Sequence, residues 1–183
     1  YDTPEGYYPS VTTVTGWGKR KFFAKWRAEN PKESKRVLSR GNKLHSLIED
    51  YINNELESKD GIELPILDLF LQLQPKLDNI DNVYAQELPL WSSTLELAGR
   101  VDCVAEYDGK LSIIDFKGST KTKKKEHIGN YFMQATAYAI MWQEMTGKPI
   151  DNIVIMIATE NGDCQVFEDK PNKYVKSLLK AIS

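Results

Sequence analysis

The first part of the chain carries its apolar residues at helical rather than alternating spacing. Mixed basic and aromatic positions predict a helix over residues 19–29, and a second helix is predicted to start after Pro31 and to run to about Glu57. A third helix is predicted over residues 64–77. Spacings of three and four residues give the second helix one apolar stripe, formed by Leu44, Leu47, Ile48, Tyr51 and Ile52.

The period of the pattern then changes. β-branched and aromatic residues predict strands over residues 83–91, 97–107 and 111–116. A largely apolar helix is predicted over residues 126–145, followed by Gly147 and Pro149, which end it. The apolar run 153–158 is typical of a strand buried on both faces, and a strand at 165–167 and a short terminal helix follow it. This order predicts an α/β fold in one domain, residues 1–183, with a mixed central β-sheet flanked by α-helices.

Composition and charge fit an ordinary globular domain. The 183 residues are 41% hydrophobic and 27% charged, and the formal net charge is −2, so a highly charged partner would have to meet a local patch. No apolar run reaches the roughly 18–20 residues of a membrane span, so no membrane partner is expected. The two cysteines, Cys103 and Cys164, are too few for a four-thiolate iron–sulfur cluster, and we interpret them as packing or surface residues in a reducing compartment.

The segment 99–118 carries the most specific chemistry. Asp108-Gly109 between two strand patterns predicts a two-residue hairpin turn, so the numbers of paired residues sum to 108 + 109 = 217. Asp102 then faces Asp115, and Arg100 faces Lys117. Directly opposed carboxylates repel one another. Either one of them is protonated, or a cation lies between them.

Neighbouring residues favour the cation. Lys117 lies two positions after Asp115, on the same face of the strand, and supplies one positive charge. Carboxylate oxygens suit a hard divalent ion, Mg²⁺ or Mn²⁺, for the rest. The alternative is a surface strand with scattered charges, but Ile113, Ile114 and Phe116 indicate a buried strand. Charged groups in a buried strand need partners.

Short motifs along most of the chain resemble those of a known family. Asp102, a hydrophobic strand and Asp115-Phe116-Lys117 resemble the defining motif of the PD-(D/E)XK nucleases. The wider set resembles their RecB-type branch: Arg40-Gly41 and His45 on a helix, Gly99 before Asp102, and Gln134 four positions before Tyr138. Residues 9–12 and 102–107 are similar to the mitochondrial genome maintenance exonucleases and their phage and bacterial relatives. The resemblance covers residues 9–158 and departs at Gly118, where that branch commonly has Thr.

This resemblance implies a restriction-endonuclease-like core with Asp102, Asp115 and Lys117 as catalytic residues. It also implies that His45, Asp102, Asp115 and the carbonyl of Phe116 are metal ligands. From the pattern alone, His45 is a histidine that flanks the apolar stripe of its helix. Without the resemblance, such a residue would be interpreted as part of the helix surface.

The resemblance further implies nucleic-acid contacts by Arg40, Gln134 and Tyr138. For Gln134 and Tyr138, which share one helix face, the alternative is a polar pair that ties the helix to the sheet. Glu87 precedes Leu88-Pro89 on a predicted strand. It is either an acid that supports the site or a solvated strand residue.

Basic residues flank the predicted site. Lys121, Lys123 and Lys124 follow the catalytic strand, and residues 19–21 are basic and precede aromatic residues. Beside a cleavage site such residues favour phosphate contacts, with aromatic rings stacked on bases; the alternative is a solvated surface.

Together with the resemblance, these basic residues lead us to expect a metal-dependent DNA exonuclease that acts on single-stranded ends. It would be intracellular: cytoplasmic in a bacterial or phage-infected host, or mitochondrial in a eukaryote. The alternatives are an endonuclease on the same core, a nucleic-acid-binding module that has lost catalysis, and a structural metal-binding domain.

Overall fold

A computed structural model describes the whole chain, residues 1–183. Two short strands, β1 (Asp2–Thr3) and β2 (Gly6–Tyr7), form a hairpin before the first helix. The helices, in chain order, are α1 (Val11–Thr15), α2 (Arg20–Glu29), α3 (Pro31–Ile52), α4 (Leu64–Leu77), α5 (Gly129–Thr146) and α6 (Val175–Ile182). None of them combines the length and the apolar character that a membrane crossing requires.

A mixed sheet forms the centre of the fold. Its strands are β3 (Ile80–Ser92), β4 (Leu97–Tyr107), β5 (Lys110–Ser119), β6 (Asn152–Thr159) and β7 (Gln165–Asp169). They lie in the order β3-β4-β5-β6-β7; β5 and β6 run parallel, and the other neighbours are antiparallel. Helix α5 lies in the crossover connection that joins the parallel pair. The predicted α/β fold with a mixed sheet flanked by helices is confirmed.

The β4–β5 hairpin has the predicted turn. Asp108 and Gly109 have φ values of 50° and 76°, and a type I′ turn requires positive φ at both central positions. Paired residues sum to 217 from Tyr107–Lys110 to Cys103–Ile114, as predicted. Successive residues of β5 therefore point to opposite faces of the sheet.

Hydrophobic cores cover both faces of the sheet. One core packs against α3 and α4 and includes Leu44 and Phe116. The other packs against α5 and α6 and includes Ile113 and Phe132. All eight residues of β6 are buried, as its continuous apolar run predicts. Because β5 pairs with this buried strand, the charge of Asp115 needs compensation from protein groups or an ion.

Two helix boundaries differ from the prediction. Helix α3 ends at Ile52 rather than near Glu57, because Asn54 has a φ of 58°, which a right-handed helix cannot continue. Helix α5 begins at Gly129, after a 3₁₀ turn over Lys125–His127. The sequence pattern did not predict α1, which the hydroxyl of Ser10 caps.

Candidate active site

Strand β5 brings two of the predicted catalytic residues together. Lys117 Nζ lies 3.0 Å from Asp115 Oδ2, so the predicted placement on one face of the strand is confirmed. The Asp115 side chain is buried. Although it lies beside Lys117, its Oδ2 atom receives no hydrogen bond of acceptable geometry. This buried oxygen therefore keeps an unused lone pair.

Asp102 lies on the neighbouring strand β4, and its side chain accepts a hydrogen bond from the backbone of β5. The backbone N–H of Phe116 donates to Asp102 Oδ2 at 2.9 Å. The backbone pairing of the two strands ends at Cys103–Ile114, so neither the predicted pair Asp102–Asp115 nor the predicted pair Arg100–Lys117 is part of the ladder. The carboxylate of Asp102 takes up the Phe116 N–H where that pairing stops.

His45 approaches the sheet from α3. Its Nδ1 atom lies 3.5 Å from Asp102 Oδ1 and 3.4 Å from Glu87 Oε1. Donor atoms of these three residues all lie within 4.8 Å of one another. The structure thus brings His45 to Asp102, as predicted, and adds Glu87 from β3.

Backbone geometry directs Glu87 to this cluster. It lies between the pairs Gln86–Cys103 and Leu88–Val101 and therefore opposite Asp102. Its φ of 49° is left-handed, a conformation that costs free energy for a residue other than glycine. Arg100 Nε lies 3.0 Å from the second Glu87 oxygen. Sequence reasoning left Glu87 open, since no local motif reports a left-handed strand residue.

Three carboxylates, of Glu87, Asp102 and Asp115, surround the side chains of His45 and Lys117 and shift the pKa values in the cluster. Burial and the charge of Asp115 raise the pKa of Asp102 well above its ordinary value. Burial lowers the pKa of His45, but the hydrogen bond to Glu87 and the charges of Asp102 and Asp115 outweigh it and raise the pKa to about 9. Burial likewise lowers the pKa of Lys117, and the charges of Asp115 and Asp102 hold it above the ordinary value. Lys117 is therefore positively charged at neutral pH.

The donor set fits a divalent cation. His45, Glu87 and Asp102 provide one imidazole nitrogen and carboxylate oxygens within 4.8 Å of one another, and Asp115 has a buried oxygen without a hydrogen bond. Hard cations prefer oxygen ligands, and imidazole shifts the preference toward Mn²⁺. Phe116, on β5, is linked to β4 through the hydrogen bond from its N–H to Asp102, while coordination by its carbonyl stays a prediction.

Gln134 and Tyr138 connect helix α5 to this site. Lys117 Nζ donates to Gln134 Oε1 at 3.3 Å, and Gln134 Nε2 donates to the Tyr138 hydroxyl at 3.4 Å. Tyr138 packs so closely on Gly99 that a Cβ atom there would lie 2.9 Å from its ring and its hydroxyl. Both side chains are buried, which is the polar tie between helix and sheet that the sequence left open. Their contact with DNA stays a prediction.

Arg40 packs against the end of β5, directly after Lys117. Its guanidinium is buried and donates to the Gly118 carbonyl at 3.2 Å and to Thr120 Oγ1 at 3.4 Å. It also lies 3.4 Å from a carboxylate oxygen of Glu160. A Cβ atom at Gly118 would lie 3.3 Å from Arg40 Nε, so a larger side chain at that position would have to displace Arg40 by a few tenths of an ångström. A nucleic-acid contact by Arg40 stays a prediction.

The predicted basic residues lie in the loop after β5. Lys121 and Lys124 are exposed and Lys123 is half-buried. The side chain of Gln165 accepts from the Lys123 N–H at 2.8 Å and donates to its carbonyl at 2.9 Å. These two hydrogen bonds fix the backbone of the loop at Lys123. The ammonium groups of the three lysines remain free to bind an anion.

A cavity of about 700 Å³ opens over the cluster. We call it the acidic cavity, because its walls include Glu49, Glu87 and Asp102 together with His45 and Gln134. Gln134 is the wall residue that contacts Lys117. The site therefore combines acidic cation ligands, a charged lysine and space for a ligand.

Comparisons with known proteins agree with this chemistry. The family model described as PD-(D/E)XK nuclease superfamily matches residues 21–171. Mitochondrial genome maintenance exonuclease 1 from Mus musculus is 34% identical over 87 residues, which are 48% of this chain and 26% of that protein. The Homo sapiens protein of the same name is 33% identical over 88 residues, 48% of this chain and 26% of that protein. The match thus spans about a quarter of the length of these relatives.

A solved structure shares the fold. The crystal structure of a candidate exonuclease from Eubacterium rectale superposes with a TM-score of 0.62 at 14% sequence identity. The superposition covers 96% of this chain and 77% of that one. At this identity the likeness extends to the arrangement of helices and strands.

Proposed function

We propose, because this chain belongs to the PD-(D/E)XK nuclease superfamily, that it is a metal-dependent DNA exonuclease that hydrolyses phosphodiester bonds from single-stranded ends. One observation carries the proposal. The Asp115–Lys117 ion pair of β5 lies next to Asp102, which in turn contacts His45. A nuclease of this superfamily requires two acidic residues and a lysine side by side. Asp102, Asp115 and Lys117 meet that requirement.

The metal ligands in this proposal are His45, Asp102, Asp115 and the carbonyl of Phe116, with Glu87 as a further donor. Nucleases of this superfamily use divalent ions, and Mg²⁺ or Mn²⁺ suits this mixture of oxygens and one imidazole. When bound, such an ion polarises a phosphate and lowers the pKa of a coordinated water molecule.

Lys117 contributes positive charge rather than a base. Its acidic neighbours hold its pKa above the ordinary value, so it keeps its proton at neutral pH. From 3.0 Å beside Asp115, it can donate to the phosphate oxygens as negative charge grows on them in the transition state. Gln134 accepts from the same ammonium group and restricts its position.

Single-stranded DNA ends are the proposed substrate. The relatives that match this chain are named exonucleases, and the chain carries Lys121, Lys123 and Lys124 directly after the catalytic strand. Lysines beside a cleavage site bind backbone phosphates of any sequence. Gln134 and Tyr138, at the wall of the acidic cavity, are the proposed contacts to the nucleotide near the scissile bond.

Digestion of substrates that differ in their ends tests the proposal. Labelled linear single strands, blunt duplexes and covalently closed single-stranded circles are incubated with the purified chain and Mg²⁺ or Mn²⁺. We expect rapid loss of linear single strands, slow loss of duplex and intact circles. Asp115→Asn, purified in parallel, controls for contaminating nuclease. Rapid cutting of circles by the native chain alone would contradict an exonuclease and favour an endonuclease on the same core.

A further inference from the structure

A second cavity, of about 520 Å³, lies between α2, α3 and the loop after β5. We call it the aromatic groove and define it by Phe22, Phe23, Trp26, Lys121, Lys123 and Tyr131, which all line it. None of the residues that line the acidic cavity also lines this groove. It is therefore a surface separate from the acidic cavity, and the proposed function assigns a role only to its lysines, not to its aromatic residues.

The groove aromatics that α2 contributes, Phe22, Phe23 and Trp26, belong to neither core. Helix α2 contains no buried residue, and the side chains of Phe22 and Phe23 are 67% and 44% exposed. The two rings contact each other edge to face, with centroids 5.4 Å apart. Exposed aromatic residues that cluster in this way mark a contact surface rather than a packing requirement.

Charge identifies the partner class. Arg27, Arg40, Lys121 and Lys123 line the groove, and its lining includes no acidic residue. A ligand that fits must offer negative charge and flat apolar surface together. Single-stranded nucleic acid does so, since phosphates meet the cations and unpaired bases stack on the rings.

Tyr131 connects the groove to the cleavage site. It lines the groove, and Lys117 Nζ lies 4.8 Å from the centroid of its ring. Lys117 thus contacts a groove residue through Tyr131 and a residue of the acidic cavity through Gln134. A strand in the groove would lie next to the ammonium group that faces the scissile phosphate.

We propose that the aromatic groove is a binding site for single-stranded nucleic acid, with bases stacked on Phe22, Phe23 and Trp26 and phosphates on Lys121 and Lys123. The inference rests on the proposed nuclease function for its role beside Lys117, but binding in the groove requires no metal and no cleavage. Base stacking tolerates any sequence, so the groove selects for unpaired strands rather than for particular bases.

Equilibrium binding to the Asp115→Asn protein tests the groove separately from catalysis. A fluorescein-labelled thymidine oligomer is titrated without divalent ions, and its anisotropy gives the dissociation constant. Adding Phe22→Ala or Phe23→Ala should weaken binding roughly 5- to 150-fold, the range for loss of one stacked base. Tyr84→Ala, which removes an exposed aromatic residue of β3 outside the groove, is the matched control and should bind as its parent does.

Salt dependence tests the phosphate contacts. Replacing Lys121 and Lys123 together by Ala should reduce the slope of log affinity against log salt by about 1.4, or about 0.7 for each phosphate contact to a single strand. Lys176 and Lys180, exposed on α6, provide the control pair. An unchanged slope in the Lys121 and Lys123 variant would remove these lysines from the groove site.

The outcomes separate this inference from the proposed function. If the groove variants melt at the parent temperature and bind the oligomer as tightly as Tyr84→Ala does, the groove proposal is wrong and the nuclease proposal stands. If the native chain fails to cleave DNA while binding still depends on Phe23, the nuclease proposal fails and the groove stands. If Phe22→Ala instead dissociates a dimer without changing binding, the groove is a self-association surface and the inference is overturned.

Discussion

Lys117 contacts one lining residue of the acidic cavity, Gln134, and one of the aromatic groove, Tyr131. The two surfaces differ in their charge and in how their side chains are held. Glu49, Glu87 and Asp102 line the cavity, whereas the groove lining has four basic residues and no acid. The formal net charge of the chain is −2, so the overall charge conceals both surfaces. What matters for a polyanionic substrate is that positive and negative charge are segregated at one site.

The two regions also differ in how their side chains are held. Two of the cavity acids, Glu87 and Asp102, come from the sheet strands β3 and β4, where an ion pair and a hydrogen bond hold them. The groove aromatics come from α2, which buries none of its residues. Substitutions in the cavity should therefore affect both chemistry and folding. Substitutions in the groove should affect binding and leave stability unchanged.

The largest effect on the cleavage rate is expected from substitutions of Asp115 and Lys117. Lys117→Ala should lower the cleavage rate by about 10²- to 10³-fold, the loss that follows removal of one transition-state donor, and Asp115→Asn should lower it further because a metal ligand is lost. Initial rates on labelled linear single strands measure both. Both variants should fold but melt below the native chain, since each change breaks the ion pair at the buried Asp115 carboxylate.

A surface lysine provides the control for Lys117. Lys176 is exposed on α6, so Lys176→Ala removes the same charge far along the chain and should leave the rate unchanged. Native-like turnover by either Asp115→Asn or Lys117→Ala would contradict the assignment of this site.

Divalent ions should stabilise the folded chain through the same cavity. At a free ion concentration of about a hundred times the dissociation constant, binding adds roughly 2.7 kcal/mol to the free energy of unfolding. For a chain of this size that raises the melting temperature by roughly 5–10 °C. Calcium should produce the shift and support DNA binding without cleavage, because its coordination is looser than that of Mg²⁺. Thermal melts with chelator, Ca²⁺ and Mg²⁺ measure the shift.

Variants of the ligands sharpen this prediction. Asp115→Asn should lose most of the shift, and Glu87→Gln should require roughly 10- to 100-fold more ion to reach it, as expected for a residue that supports or completes a ligand set. Groove variants such as Phe22→Ala should keep the full shift. Equal shifts in the native chain and in Asp115→Asn would place the ion elsewhere.

A smaller effect is expected where the cavity wall packs on the sheet. A Cβ atom at Gly99 would lie 2.9 Å from the ring and the hydroxyl of Tyr138, and Tyr138 is too buried to move aside. Gly99→Ala should therefore cost about 1–3 kcal/mol of unfolding free energy. It should also slow cleavage, since Tyr138 contacts Gln134 and Gln134 contacts Lys117.

Urea unfolding and cleavage rates of two glycine variants check this. Gly129→Ala is the matched control, because a Cβ atom there would meet no atom within 4 Å. If Gly99→Ala unfolds and cleaves as Gly129→Ala does, the close packing of Tyr138 on Gly99 is wrong.

How much of this could be predicted from the sequence depends on the range of each interaction. Asp108-Gly109 is a local signal, so the hairpin, its register to Cys103–Ile114 and the neighbourhood of Asp115 and Lys117 followed from it. The sequence did not decide whether Glu87 supports the site or is a solvated strand residue. The pairing of β3 with β4 and a left-handed backbone bring it to Asp102, and neither leaves a local pattern.

Tertiary packing also decided which polar residues face solvent. Arg40, for which a nucleic-acid contact stays a prediction, is buried against Gly118 and Glu160 and also lines the aromatic groove. Conversely, aromatic residues such as those of α2 are suited to a buried helix face, and only the fold leaves Phe22 exposed. Sequence spacing predicts which residues share a face of an element, while the neighbouring elements determine whether that face is covered.

Asp169, at the end of β7, holds the basic loop of the groove through an ion pair with Lys125. Its carboxylate lies 3.0 Å from Lys125 Nζ and 2.8 Å from Lys173 Nζ, and it accepts from the Tyr174 hydroxyl at 2.8 Å. Burial raises the pKa of Asp169, but hydrogen bonds from Lys173, Tyr174 and Lys125 outweigh it and hold the pKa below its ordinary value. Lys125 closes the loop that carries Lys121 and Lys123.

Asp169→Asn should produce the smallest of these effects, a loss of about 1 kcal/mol at pH 7. The Asp169 carboxylate is nearly buried, but Lys125 and Lys173 are 47% and 63% exposed, and solvent weakens their ion pairs toward the roughly 0–1 kcal/mol of a surface pair. A carboxyl whose pKa is depressed by folding stabilises the native state above its unfolded pKa of about 3.9 and loses that contribution as the pH falls. The difference between the native chain and Asp169→Asn in urea unfolding should therefore narrow below about pH 4. Asp60→Asn, at an exposed site without an ion pair, controls for general acid effects. A gap that stays constant from pH 7 to acid would mean that packing, and not charge, holds the loop at Asp169.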